Sequence, residues 1–101
     1  MTFDFLEDAE TEFREAFEYY EAQQPGLGEE FGREVRRAID RILVHPFAWR
    51  KLSRRTRRCQ TRKFPYGLIY HVREKEDSVL IVAVMHLSRR PGYWARRIKG
   101  L

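Results

Sequence analysis

Side chains that could bind a phosphate group lie in the second half of the chain. Arg58 and Arg62 are four positions apart, so an extended strand would place both on one face and Lys63 on the other. Arginine presents a planar guanidinium that suits bidentate binding of a phosphate or a carboxylate. This strand face could therefore hold a phosphate, or it could simply be an exposed face of a sheet.

Two further candidates stand near the C-terminal end. His86 closes an apolar run, and because an unperturbed histidine titrates at about pH 6.5, it could act as a base or an acid. The alternative is a histidine that ends a strand and hydrogen-bonds to the backbone. Tyr93 could stack on a nucleobase or donate to a phosphate, or it could anchor the end of the chain together with Trp94.

Charge is distributed unevenly along the 101 residues. The net charge is +5, but residues 1–40 carry −8 and residues 41–101 carry +13, and sixteen of the twenty basic residues are arginine. Such segregation predicts one acidic surface and one basic surface that binds a partner. The simpler interpretation is a solvated basic edge.

Several kinds of site and of protein are not indicated. Cys59 is the only cysteine and the three histidines show no zinc-ligand spacing, so we expect neither a metal site nor a cofactor. No stretch is long and apolar enough for a membrane span, and the acidic N-terminus lacks the pattern of a signal peptide. We therefore expect one soluble domain, residues 1–101, in the cytoplasm and without membrane contact.

The spacing of apolar residues predicts the elements of the first half. Phe3 and Phe5 alternate with polar residues, as in a short strand. Helical spacing then runs through residues 6–20 and 27–43, and His45-Pro46 ends the second helix. The short link between the two helices predicts an antiparallel helical hairpin.

The second half predicts a sheet. Residues 47–56 have the composition of a loop, whereas 57–62, 68–72 and 79–85 predict three strands, and 91–98 predict a final turn or short helix. We expect the first strand beside the last. The predicted fold is α+β in the order β-α-α-β-β-β, with the helical hairpin packed on a small, mainly antiparallel four-stranded sheet.

Two motifs carry a resemblance to a known family. The first is Phe64-Pro65-Tyr66-Gly67-Leu68-Ile69-Tyr70, and the second is His86-Leu87-Ser88-Arg89-Arg90-Pro91-Gly92-Tyr93-Trp94. Together with Pro25-Gly26-Leu27-Gly28 and His45-Pro46, they span most of the chain. In these motifs the chain resembles the RelE/ParE superfamily of toxins from type II toxin–antitoxin systems.

The resemblance implies a toxin with one of two targets. RelE-like members cut mRNA on the ribosome, whereas ParE-like members inhibit DNA gyrase and trap cleaved DNA. Both kinds are neutralised by a cognate antitoxin, often in plasmid stabilisation modules, so we expect a hetero-oligomer with that antitoxin. An acidic, partly apolar antitoxin segment should lie against the basic sheet surface.

A RelE-like activity would need a specific set of groups. RNA cleavage without a metal requires a base for the 2′-hydroxyl proton, cations for the charge on the phosphorane, and an acid for the leaving oxygen. The candidate catalytic residues for that case are Arg58, Arg62, Lys63, His86, Arg89 and Tyr93.

The sequence departs from the nuclease pattern at Gly67, where RelE-like nucleases carry an arginine. Leu87 and Ser88 also stand where further catalytic groups are expected. The resemblance therefore favours the ParE-like branch, which is not known to be enzymatic, with its target contacts in the Arg-rich C-terminal segment. The candidate target-binding residues are Arg89, Arg90, Tyr93, Trp94, Arg96 and Arg97. A non-toxic basic RNA-binding module is a further alternative.

Overall fold

The computed structural model describes residues 1–99, and residues 100 and 101 of the predicted domain lie outside that range. Two helices and five strands follow one another along these residues, with one short 3₁₀ turn between the last two strands and another in the C-terminal segment. They are β1 (Thr2–Phe5), α1 (Glu7–Gln23), α2 (Leu27–Val44), β2 (Arg50–Lys51), β3 (Arg57–Gln60), β4 (Tyr66–Arg73), β5 (Ser78–His86) and the 3₁₀ turns Glu74–Glu76 and Ala95–Ile98.

The two helices form the predicted hairpin. Gly26 adopts a φ of 89° in the link, and the Glu21 carboxylate accepts the N–H groups of Gly26 and Gly28 at 2.9 and 3.0 Å. Gly28 must be small, because a Cβ there would lie 2.7 Å from the Phe17 carbonyl oxygen. The second helix ends at Val44, as the following His45-Pro46 pair predicts.

The sheet has the strand order β1-β5-β4-β3-β2. As predicted, β1 lies beside β5, and it runs parallel to it, while the other neighbours are antiparallel. The α+β fold with a helical hairpin on a mainly antiparallel sheet is confirmed. The strand β5 lies inside the sheet, between β1 and β4, and is buried along almost its whole length, as its apolar sequence indicates.

The sheet has five strands rather than the predicted four. The extra strand, β2, is a two-residue edge strand within the segment expected to be a loop, and it pairs with Arg57 and Arg58. A tight turn forms it, because the Leu52 N–H donates to the Thr56 carbonyl at 2.9 Å. Two residues are too few for an alternating pattern, so periodicity could not predict this strand.

The strand predicted for residues 57–62 is shorter than expected. Alternation suggested a strand to residue 62, but β3 ends at Gln60. The Thr61 hydroxyl donates to the Phe64 carbonyl at 2.6 Å and closes a local turn. Arg62 and Lys63 therefore lie in that turn rather than on a strand.

Apolar side chains cover both faces of the sheet. One face packs against α1 and α2 in the main core, around Phe31, Ile42 and Tyr70. The other face carries a smaller cluster of Ile69, Val82, Ala83 and Met85, on which Trp94 of the C-terminal segment lies, only 5% exposed. The C-terminal segment thus substitutes for a second layer on the face away from the helices.

None of the helices within residues 1–99 is long and apolar enough to cross a membrane.

Candidate functional site

A cleft of about 210 Å³ lies between α1 and the C-terminal end of β5. Polar and aromatic side chains from α1, β4, β5 and the following turn line it, and we call it the β5-end cleft. Its lining includes Glu12, Glu15, Tyr19, Tyr66, His86 and Arg89.

The cleft exists because β1 is shorter than β5. Pairing with β1 stops at Phe5 and Ile81, and the Leu6 N–H makes the last bond to the Ile81 carbonyl before the chain turns into α1. Beyond that point no strand within residues 1–99 pairs with this edge of β5. Opposite β4, Ile69 faces Ala83 and Tyr70 faces Ile81, which leaves Val82 as an extra, bulged residue.

Two charged side chains complete this open edge. The Val84 N–H donates to Glu12 at 3.0 Å, and Arg97 donates to the Val82 carbonyl at 3.1 Å. A carboxylate and a guanidinium thus take the hydrogen-bonding positions that a further strand would fill. Because buried backbone groups need partners, this arrangement fixes where α1 and the C-terminal segment meet β5.

Glu12 is the centre of the network. Besides the Val84 N–H, its carboxylate accepts the Tyr93 hydroxyl at 2.6 Å and two guanidinium N–H groups of Arg97 at 2.7 and 3.0 Å. The Glu12 hydrogen bonds raise the pKa of Arg97, which is therefore always charged. Burial, reinforced by Glu12, also raises the pKa of Tyr93 far above neutral pH, so Tyr93 is a donor here and not a base.

His86 lies at the mouth of the cleft. Its Nδ1 accepts the Ser88 backbone N–H at 3.0 Å and lies 2.7 Å from the Ser88 hydroxyl. This pattern places the proton of the neutral ring on Nε2. The ring stands edge-on to Tyr66, with centroids 5.1 Å apart, and burial together with Tyr20 raises the pKa of Tyr66 to about 12.

Arg58 does not reach this cleft. The next residue, Cys59, is buried against α2 with its thiol 3.9 Å from the Ala38 carbonyl, so strand alternation turns Arg58 to the opposite face of the sheet. There its aliphatic stem lies across Gly67, where a Cβ would be 3.0 Å from the Arg58 Cδ. The glycine found where an arginine was expected therefore makes room for an arginine from the neighbouring strand.

Lys63 and Arg62, the other two basic candidates for RNA cleavage, also lie outside the β5-end cleft. Lys63 forms an ion pair with Glu30 of α2 at 3.3 Å. Arg62 lines a separate hollow beside Trp49 and Arg50. Of the six residues proposed for RNA cleavage, His86, Arg89 and Tyr93 lie at or beside the cleft, whereas Arg58, Arg62 and Lys63 lie outside it.

The C-terminal segment divides into exposed and internal residues. Arg89, Arg90 and Arg96 are exposed, and the Arg89 guanidinium lies 3.9 Å from the centre of the Tyr93 ring. Trp94 and Arg97 face inward, Trp94 in the smaller apolar cluster and Arg97 in the ion pair with Glu12. Of the six candidate target-binding residues, these two support the segment rather than present a surface.

Sequence reasoning missed Glu12, Glu15 and Tyr19. They lie on the polar side of α1 among several other acidic residues, and helical periodicity gives no reason to select them. The partner of Glu12 is 72 residues away along the chain, at an edge that exists only after β1 and β5 pair. Within residues 1–99 no group of three or more His, Cys, Asp or Glu side chains is placed to hold a metal ion.

Comparison with known proteins agrees with this architecture. A family model described as the ParE toxin of the type II toxin–antitoxin system parDE matches residues 3–91. No curated protein sequence matches the chain.

Two solved structures share the fold. One, described as the chromosomal ParDE TA system from P. aeruginosa, aligns with a TM-score of 0.73 at 11% identity, over 87% of this chain and 97% of that one. The other, the isolated E. coli RelE toxin, aligns with a TM-score of 0.65 at 19% identity, over 99% of this chain and 98% of that one.

Proposed function

Since the chain belongs to the ParE toxin family of type II toxin–antitoxin systems, we propose that it inhibits DNA gyrase and is neutralised by a cognate antitoxin. The observation that carries this choice of target is the separation of the nuclease candidates. Arg58 lies on the sheet face away from the helices, whereas His86 faces the β5-end cleft. A metal-free nuclease would need its cations and its proton-transfer groups around one phosphate.

The surface proposed to contact gyrase is the rim of the β5-end cleft. Arg89 lines the cleft and stacks on Tyr93, and Arg90, which follows it along the chain, is also exposed. Arginine and tyrosine are the residue types that most often dominate protein–protein binding energy. Glu12 holds Tyr93 in place through its hydroxyl, so this part of the rim is organised before a target binds.

The proposed antitoxin partner follows from the family and from the charge distribution. A segment with acidic and apolar side chains would complement the basic half of the chain and would form a hetero-oligomer with it. The solved P. aeruginosa relative is itself described as a ParDE TA system. We place the protein in the cytoplasm, where gyrase acts, in a module of the plasmid stabilisation type.

The deciding experiment is pulse labelling after brief induction of the chain without its antitoxin. Incorporation of thymidine and of amino acids is followed in the same cells over the first minutes. We expect thymidine incorporation to fall first while translation continues. Early loss of translation with DNA synthesis intact would overturn the gyrase assignment and indicate a ribosome-directed nuclease.

Purified gyrase provides the matching test in vitro. The double variant Arg89→Ala/Arg90→Ala should lose inhibition of supercoiling, whereas Arg14→Ala/Arg33→Ala, which removes two exposed arginines from the helices, should keep it. Equal inhibition by both variants would show that the rim of the cleft is not the contact surface.

A further inference from the structure

A run of positive charge surrounds the β2–β3 edge of the sheet. Residues 41–73 contain no aspartate or glutamate, and seven arginine and lysine side chains concentrate in residues 50–62. We call them the basic belt: Arg50, Lys51, Arg54, Arg55, Arg57, Arg58 and Arg62.

The basic belt is not neutralised within the fold. The salt bridges of residues 1–99 use Arg36, Arg37, Lys63, Arg73, Arg97 and the N-terminus, and none uses a belt residue. A surface lined by charges of one sign raises the local concentration of oppositely charged molecules. An uncompensated set of seven cations on one edge is therefore a surface adapted to an anionic partner.

Three hollows follow one another around this edge. The first, about 320 Å³, lies among Lys51, Arg54, Arg55 and Arg57, and its lining also includes the acidic Glu74. The second, about 460 Å³, brings Arg54 and Arg55 together with Arg96 and Lys99 of the C-terminal segment. The third, about 450 Å³, lies among Arg41, Arg50, Arg58 and Arg62.

The turn that carries Arg54 and Arg55 is held in one conformation. The Ser53 and Thr56 hydroxyls lie 2.6 Å apart, and the Leu52 N–H donates to the Thr56 carbonyl. His71 Nδ1 donates to the Arg55 carbonyl at 2.8 Å, which ties the tip of the turn to β4. The two exposed guanidinium groups are thus presented from a fixed backbone, which lowers the entropy lost on binding.

The chemistry of the belt fits phosphates spaced along a duplex. Guanidinium groups bind phosphate oxygens bidentately, and contacts to the backbone alone require no reading of bases. Proteins that bind single-stranded nucleic acids combine such a basic surface with several exposed aromatic rings, on which successive bases stack. Within residues 41–73 the exposed aromatic ring is Phe47, which lies beside the belt with the Arg57 guanidinium 5.5 Å from its ring centre.

We propose that the basic belt binds the phosphate backbone of duplex DNA without sequence preference. This activity goes beyond inhibition of gyrase, and it is measured on the isolated chain with no gyrase present. The two proposals can therefore fail separately. If the rim of the cleft binds gyrase and the belt binds DNA, one chain can contact both components of an enzyme–DNA complex.

The test is fluorescence anisotropy of the purified chain with a short, labelled duplex of mixed sequence across a salt series. Each phosphate contact contributes about 0.9 to the slope of log K against log salt, so Arg54→Gln/Arg55→Gln should lower that slope by about 1.8 and weaken binding at least about tenfold at 0.1 M salt. The matched control is Arg14→Gln/Arg33→Gln, which removes the same charge from the exposed helix surface. It should bind duplex DNA nearly as the parent chain does.

Three results would overturn the proposal. The first is no duplex binding by the parent chain at low salt. The second is equal weakening in both variants, which would indicate a general effect of net charge. The third is much tighter binding of single-stranded RNA, or equal competition by polyglutamate, because either would assign the belt to a different class of partner.

Discussion

At the scale of single residues, Glu12 has the largest structural role of the polar side chains. One carboxylate accepts hydrogen bonds from Val84, Tyr93 and Arg97 and joins α1, β5 and the C-terminal segment. Its side chain is only 13% exposed, so solvent screens the ion pair weakly.

We expect Glu12→Ala to lower the free energy of unfolding by about 2–4 kcal/mol, because it leaves the buried Val84 N–H without a partner and removes the main counter-charge of Arg97, which keeps only the Val82 carbonyl and the exposed Asp8. The change in the free energy of unfolding is measured by urea denaturation. Glu15→Ala is the control, since Glu15 is exposed in the same cleft, and it should change stability by less than about 0.5 kcal/mol. Similar values for both variants would contradict the role given to Glu12.

The lowered pKa of Glu34 predicts that the free energy of unfolding depends on pH. Glu34 is buried in α2, and burial alone would raise the pKa of its carboxyl, but Arg37 and Lys63 together hold that pKa below its usual value. The folded state therefore favours the charged form, and the stability it contributes is present above the unfolded pKa of about 4.3 and lost as the pH falls through the lower folded value.

The matching experiment compares unfolding free energies of the parent chain and Glu34→Gln across the acid range. The parent should be more stable at neutral pH, and the difference should narrow as the pH falls below about 4.3. If the two free energies of unfolding changed in parallel with pH, the ionisation of Glu34 would not contribute to stability.

Individual residues also mark the limit of sequence reasoning. The pattern predicted Arg58, His86, Arg89 and Tyr93 as side chains capable of chemistry, but it could not assign each to a face of the sheet. That assignment depends on the buried neighbour Cys59 and on the pairing of Tyr66 with His86. In the sequence, Gly67 could be interpreted only as a departure from the nuclease motif. The structure gives it a steric role, because a side chain at this position would press against Arg58.

At the scale of elements, periodic segments were predictable and short ones were not. The positions of both helices and of β5 were predictable from the spacing of apolar residues, because each element is long enough to bury one face or both. The edge strand β2 and the end of β3 are set by a few turn hydrogen bonds of Leu52 and Thr61. The packing of Trp94 on the second sheet face required knowledge of which strands lie beneath it.

The C-terminal segment gives the prediction at this scale. Deleting residues 91–101 removes Trp94 from the apolar cluster and Arg97 from Glu12, so the truncated chain should lose cooperative thermal unfolding and aggregate during gel filtration. Arg96→Ala, at an exposed position of the same segment, should leave the melting temperature nearly unchanged. A monomeric, cooperatively unfolding truncated chain would show that the segment is not part of the core.

At the scale of the whole molecule, the dominant feature is the separation of charge. The helical half is acidic and the sheet half is basic, and the seven cations of the basic belt form no salt bridge within residues 1–99. A long-range field of this kind accelerates the encounter with an oppositely charged partner more than it slows dissociation.

The corresponding prediction concerns binding of the antitoxin. Raising salt from low to high concentration should lower the association rate constant by about tenfold or more, while the dissociation rate constant changes by less than about threefold. Stopped-flow mixing of the purified partners measures the first rate and dilution measures the second. An association rate that does not respond to salt would exclude attraction by the basic half as the main driving force.

The bulged, partly unpaired edge of β5 has a further consequence for how the chain behaves alone. An exposed apolar strand edge is a template on which other chains can add strands and form aggregates. Here a carboxylate and a guanidinium, from Glu12 and Arg97, cover the backbone groups of that edge. The fold thereby protects itself from fibril-like association, so a freshly released chain can remain dispersed long enough to diffuse to its target.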